Sequence, residues 1–183
     1  MTQKPKIMID LDGTIVDFHG PFMDFVSMET NYDYSASDLD GLNVPYLQPQ
    51  TVERLHEQFI ACGGYQTLPL FPNVPSTIAK LAETYQIIFC TARPQELRDT
   101  TETYLKDRNL LHTLWFHPSD KKVQVCQEND IGAIVEDNFG ILQQASRTDL
   151  KVFGMSRQHN YKKLATLSGI IPLTNFKDIL KYL

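Results

Sequence analysis

Short apolar runs alternate with amphipathic stretches along most of this chain. The runs predict strands at Lys6–Asp10, Gln86–Cys90, Thr113–Phe116, Ile131–Val135, Lys151–Phe153 and Ile170–Leu173. Between them, helical spacing of apolar residues predicts helices over Pro94–Arg108, Asp120–Asn129, Phe139–Arg147 and Asn175–Tyr182, with another starting near Pro75. Strand and helix in alternation build βαβ units. The pattern therefore predicts an α/β fold with a parallel sheet covered by helices on both faces. In such sheets ligands bind beyond the carboxyl ends of the strands, so polar residues directly after each strand are the places to look for chemistry.

One segment breaks the rhythm. Between Thr14 and the helix near Pro75 lie about 60 residues, too many for one crossover helix. The stretch is rich in aromatics (Phe18, Phe22, Phe25, Tyr32, Tyr34, Tyr46, Phe59, Tyr65) and has helical patterns near Asp17–Glu29 and Pro49–Cys62. It carries eight acids against one basic residue, Arg54. The proline-rich run from Leu68 to Pro75 reads as a stiff return. These features predict a small helical cap over 16–73, inserted after the first strand of a core made of 1–15 and 74–183.

At 183 residues the chain can bury roughly 70% of its unfolded surface and needs no disulfide to fold. Cys62, Cys90 and Cys126 are odd in number and widely spaced, which predicts reduced, core-packing thiols of a cytoplasmic protein. No apolar leader follows Met1 and no apolar run is long enough to span a membrane. A net charge of −5 without a Lys/Arg cluster argues against binding a nucleic acid polymer.

Four polar groups follow predicted strands or head helices. Asp10 and Asp12 flank Leu11 and precede Gly13-Thr14; side chains alternate along a strand, so both carboxylates start on one side, where like charges call for a cation or a shared proton. The alternative is a turn in which both merely bond backbone N–H groups. Thr91-Ala92-Arg93 ends the second strand and offers a hydroxyl to an oxyanion, or simply caps a helix. Lys121-Lys122 heads a helix, where a cation opposes the dipole unless an anion holds it; otherwise both are solvated. Glu136-Asp137 ends a buried strand and suits a hard cation such as Mg²⁺, unless Asp137 or Asn138 serves as the next N-cap. Together these sites would share one sheet edge, a set suited to phosphoryl transfer.

In this order the residues resemble the haloacid dehalogenase superfamily, which is dominated by Mg²⁺-dependent phosphatases. Asp10-Leu11-Asp12-Gly13-Thr14 matches its first motif, Thr91 its second, Lys122 (preferred to Lys121) its third and Glu136-Asp137 its fourth. The resemblance implies a Rossmann-like, haloacid dehalogenase-like core. It implies that Asp10 attacks phosphorus and ligates Mg²⁺, while Asp12 serves as acid and base and ligates through its carbonyl. Thr91 and Lys122 would hold the phosphoryl group, with Ala92 and Arg93 beside it. Asp137 would be a metal ligand, with Glu136 a further ligand or an outer partner. The cap, the Cys-Thr-Ala-Arg-Pro run and the Glu-Asp-Asn ending are similar to the 5′(3′)-deoxyribonucleotidase-like group, which implies a nucleoside monophosphate as substrate. Phe18, Phe22 and Tyr46 are candidates to stack on a base. Absence of lysine between Ile15 and Ala79 argues against the phosphonate-cleaving branch, whereas His19 and His56 keep a sugar phosphomutase open. A third alternative is a phosphate- or nucleotide-binding regulator with little turnover.

Overall fold

The computed structural model describes residues 3–38, 42–110 and 112–182. Among them, β1 (Lys6–Ile9), β2 (Gln86–Thr91), β3 (Thr113–Phe116), β4 (Ile131–Glu136), β5 (Lys151–Met155) and β6 (Ile170–Leu173) form one sheet. Their order is β3-β2-β1-β4-β5-β6, and every neighbouring pair is parallel. The chain reverses its direction of travel across the sheet at β1, between β2 and β4. That switch point opens a crevice at the carboxyl edge.

Strict alternation along the strands sorts the interior into two apolar layers. Ile7, Ile9, Ile87, Phe89, Val135 and Phe153 face one side, while Met8, Ile88, Cys90, Ile134 and Val152 face the other. The first side is covered by α4 (Val74–Thr84), α5 (Arg98–Asp107) and the C-terminal turn, through Ile78, Leu81, Leu105, Phe176 and Ile179. The second is covered by α6 (Lys122–Glu128), α7 (Phe139–Ala145) and α8 (Tyr161–Leu164), through Val123, Cys126, Ile141, Leu142 and Leu164. Each layer removes the apolar stripe of its helices from water, the dominant favourable term in folding.

Between β1 and α4 the chain forms α1 (His19–Thr30), a 3₁₀ turn at Ala36–Asp38, α2 (Pro49–Ala61) and α3 (Gly64–Thr67). Residues 39–41 of the range expected for the cap lie outside the described residues. Entry and exit of this insert run side by side. The Asp17 N–H donates to the Pro69 carbonyl (2.9 Å) and the Phe71 N–H to the Ile15 carbonyl (3.0 Å). Phe18 stacks on Phe22 and Tyr65, at ring-centroid distances of 5.1 and 5.5 Å, and Phe59 meets them edge-on. These rings belong to the same apolar cluster as Ile7 and Ile9, so insert and sheet share one core.

Some elements differ from the sequence expectation. The expected helix over Asn175–Tyr182 is a 3₁₀ helix at Phe176–Lys181. Its buried residues Phe176 and Ile179 are three apart, a spacing that 3₁₀ geometry places on one face. The helices expected from Pro94 and Asp120 each begin with a 3₁₀ turn, at Gln95–Leu97 and Ser119–Lys121. Cys90 and Cys126 are buried as expected of core thiols, and burial pushes both up to about 12. Cys62, the C-cap of α2, is exposed instead. Among the described residues no helix is long and apolar enough to cross a membrane.

Tyr104 of α5 joins the two parts. Its hydroxyl is buried and donates to the Leu68 carbonyl at 2.9 Å. Tyr104→Phe leaves that carbonyl unsatisfied, a cost of about 1–2 kcal/mol. At roughly 2–4 °C per kcal/mol for a chain of this size, calorimetry should find the Tm lowered by about 2–8 °C.

Candidate active site

The register pairs Ile9 with both Phe89 and Val135, so Asp10, Cys90 and Glu136 follow at one level of the sheet. The Asp10 N–H still bonds the Val135 carbonyl at 3.0 Å, holding that residue to the edge. The chain then turns sharply: the N–H groups of Ile15 and Val16 return to the Leu11 carbonyl, and Gly13 takes φ +82°. A Cβ on Gly13 would lie 2.0 Å from Asp137 Oδ2. Glycine is what lets the loops after β1 and β4 meet.

Lys122, the first residue of α6, is buried beneath them. Its ammonium donates to Asp10 Oδ1 and to Glu136 Oε2, the latter at 2.9 Å. Lys121 is exposed and pairs with Asp120. The anions that the helix dipole called for are therefore these two carboxylates. Burial opposes the charge on Lys122, but Asp10 and Glu136 outweigh it and hold the ammonium well above its usual range. Burial, then the Glu136 carboxylate, raises Asp10 well above the ordinary carboxylate range. Glu136 Oε1 accepts from the N–H groups of Asp137 and Asn138, both at 3.1 Å. Both oxygens of Glu136 are thus committed within the protein.

The N-cap of α7 is Asn138, whose side chain accepts from the Ile141 N–H at 3.2 Å. Asp137 is left to face the crevice. Carboxylate oxygens of Asp10, Glu136 and Asp137 lie within 4.8 Å of one another, a spacing that fits a hard divalent cation between them. Burial works to raise Asp137, but a hydrogen bond from His159 and the nearby charges of His19 and Arg157 outweigh it and lower it.

Thr91 ends β2 with its hydroxyl accepting from the Arg93 N–H at 3.2 Å. Arg93, a candidate to contact either phosphate or the cap, has its guanidinium on side chains of both the core and the insert. Nε and Nη2 grip the two oxygens of Asp12 at 2.7 and 2.6 Å, and Nη1 reaches Thr101 Oγ1 at 3.2 Å. Its face lies against Tyr65 from the insert, 4.5 Å from the ring centre. Tyr65 in turn bonds His56 Nε2 through its hydroxyl at 2.7 Å.

Asp10, Asp12, Thr91, Ala92, Arg93, Lys122, Glu136 and Asp137 line one cavity of about 400 Å³. Of the aromatic candidates Phe18 lines it, with Tyr65 and His56. Phe22 is fully buried and Tyr46 is 89% exposed, and neither borders the cavity. His19 borders it, stacked on His159 at 4.3 Å between ring centres.

The segment after β5 was not anticipated. Arg157 donates to the carbonyls of Gly13 and Thr14, His159 bonds Asp137, and the buried Asn160 amide donates to the Asp137 carbonyl. The signal existed, since Ser156–Asn160 is a polar run directly after a strand. The strand was expected to end at Phe153, two residues early, which hid the adjacency.

No family model matches the chain. A nucleotidase of Clostridium acetobutylicum is 25% identical over 181 residues, covering 95% of this chain and 91% of that protein. Among solved structures, a haloacid dehalogenase-like family hydrolase from Streptococcus pneumoniae superposes with a TM-score of 0.70 at 17% identity, covering 100% of this chain and 99% of the other. A predicted phosphoglycolate phosphatase from Haemophilus somnus gives a TM-score of 0.70 at 19% identity, with the same coverage. What is shared at these identities is the fold.

Lys122 is the cation shared by two buried carboxylates, so Lys122→Met leaves Asp10 and Glu136 without it, a cost of about 3–5 kcal/mol. Calorimetry at neutral pH should find the Tm lowered by about 6–20 °C; a Tm at or above that of the wild type refutes it.

Proposed function

We propose that this chain, which has the fold of the haloacid dehalogenase-like hydrolases, is a Mg²⁺-dependent phosphomonoesterase that works through a phosphorylated Asp10 and acts on nucleoside monophosphates. The observation that carries this reading is the buried Lys122 ammonium shared by Asp10 and Glu136 at the edge of a cavity that Asp12, Thr91 and Asp137 also line. Lys122 holds one oxygen of Asp10 and leaves Oδ2 for attack. With Glu136 committed to Lys122 and two backbone N–H groups, Asp10 and Asp137 remain to hold the cation, assisted by the Asp12 carbonyl. Bound there, Mg²⁺ supplies positive charge to the phosphoryl oxygens.

In the first step Asp10 Oδ2 bonds to phosphorus, the bond to the leaving oxygen breaks, and that oxygen takes a proton from the Asp12 carboxyl. In the second a water oxygen bonds to phosphorus, Asp12 takes a proton from that water, and the bond to Asp10 breaks. Thr91 and Lys122 offer donors to the phosphoryl oxygens throughout, with Ala92 beside them in the cavity lining. Arg93 serves Asp12 rather than the phosphate, since both oxygens of Asp12 rest on it. Asp12 must free one oxygen from this grip to reach a substrate, while the other stays on Arg93 and keeps the carboxyl in place.

Support for a nucleotide comes from the apolar surface that Phe18 and Tyr65 add to the cavity lining, and from a volume in the range of small-molecule sites. The Clostridium relative is likewise named a nucleotidase. Phosphate release should be measured across nucleoside 5′- and 3′-monophosphates, sugar phosphates and phosphoglycolate. Nucleotides are expected to give the highest kcat/KM, EDTA to abolish release, and Asp10→Asn to lower kcat by roughly 10⁴-fold or more. Turnover that survives both EDTA and Asp10→Asn overturns the mechanism, and a preference for sugar phosphates overturns the substrate class.

Arg93→Met separates the role of Asp12 from that of phosphate binding. It should lower kcat on nucleoside monophosphates by about 10²-fold or more, in the range of acid–base contributions. The loss should be smaller on p-nitrophenyl phosphate, whose leaving group needs no proton. An equal loss on both, carried in KM, would instead mark Arg93 as a phosphate ligand.

A further inference from the structure

The loops after β1 and β4 carry the acids of the site, and both are tied to one short segment after β5. Arg157 donates to the Gly13 carbonyl at 2.6 Å and to the Thr14 carbonyl at 2.8 Å, with its guanidinium 3.7 Å from the centre of the Phe71 ring. Asn160 is 1% exposed; its amide donates to the Asp137 carbonyl at 2.6 Å and to the Met155 carbonyl at 2.9 Å. Its side-chain oxygen, Oδ1, accepts from the Arg157 N–H at 2.8 Å, so the segment is braced on itself. Between these anchors His159 Nε2 lies 3.2 Å from Asp137 Oδ2. Among the described residues the other oxygen, Oδ1, is met by the Thr14 hydroxyl at 3.4 Å.

We propose that His159 is a positioning residue that donates to Asp137 Oδ2 and so aims Oδ1 at the cation, with Arg157 and Asn160 fixing the two loops on either side. The proposal rests on reading the acid cluster as a cation site. An aspartate carboxylate turns easily about its last bond, and a single donor on one oxygen sets its plane. Partners of this kind, once removed, typically cost a metal site 10–100-fold in affinity. Packing limits how far His159 can turn: the imidazole is held face to face with His19, 4.3 Å between centres and 18° from parallel. A nitrogen of His19 also lies within 4.8 Å of His159 and Asp137. Two imidazoles ligating one ion must each aim a nitrogen at it, whereas stacked faces keep the rings side by side. The stack therefore favours His159 as a donor over His159 as a ligand.

Mn²⁺ binding to EDTA-treated, dialysed protein, measured by isothermal titration calorimetry, provides a readout independent of turnover. Asp137→Asn is expected to abolish binding. His159→Phe, which fills the place of the ring without a donor, should weaken Mn²⁺ about 10–100-fold, while His159→Gln, which restores an N–H, should recover most of the loss. Should His159→Phe fail to fold, His159→Ala takes its place with the same expectation. If Asp137→Asn binds Mn²⁺ as the wild type does, the cation-site reading itself falls. If Asp137→Asn loses binding but His159→Phe does not, only the positioning role falls. A His159→Gln protein as weak as His159→Phe makes the imidazole a ligand and overturns the proposal in that form.

Discussion

An ammonium buried to 2% exposure is costly unless carboxylates meet it closely, and removing one partner of such a group leaves an uncompensated charge. Lys122 is in this position, and three elements have to agree for it to be satisfied. β1 must deliver Asp10, β4 must deliver Glu136 at the same level, and α6 must begin at the residue that lies beneath both. The parallel register meets the first two demands, since Ile9 pairs with Val135 and the acids follow directly. The third is met by the 3₁₀ turn at Ser119–Lys121, which brings the chain around so that Lys122 points inward and Lys121 outward. Misplacing any one element would strand a charge in the interior, so this contact selects the register as much as it equips the site.

Negative charge nonetheless exceeds positive charge at this edge. Asp10, Glu136 and Asp137 meet one lysine, and the donors to the Asp137 carboxylate are His159 and the Thr14 hydroxyl. The imbalance is local and is confined to the carboxyl ends of β1 and β4. Asp12, one turn further, is neutralised separately by Arg93. Two acids two positions apart thus sit in distinct electrostatic settings, one short of cations and the other gripped by one.

Much of this was legible in the sequence because strand-end chemistry obeys position. Every expected strand exists, and the residues after three of them converge on one cavity. Less legible were features fixed by tertiary contact. Whether Lys121 or Lys122 turns inward depends on the pitch of a 3₁₀ turn, and the choice between Asp137 and Asn138 as N-cap depends on which carboxylate the crevice claims. Arg93 could not be assigned to Asp12 by spacing, since 81 positions separate the two. The C-terminal turn misled because an apolar pair three residues apart fits α- and 3₁₀-helices alike. The missed segment at Arg157–Asn160 followed from a boundary error of two residues, small for the fold and large for the site.

The insert leaves and rejoins the core at adjacent points, with Val16 bridged to Leu70. Closing a loop whose ends are already paired depends only weakly on its length. The sheet therefore places little constraint on how many residues hang from this junction. What it does constrain is the underside: Phe18, Phe22 and Phe59 complete the same apolar cluster as Ile7 and Ile9. Any replacement piece would have to bring an oily base of similar shape, while its upper surface would be free to diverge. A chain built in this way can exchange the wall that faces its ligands without redesigning the edge where bonds are broken.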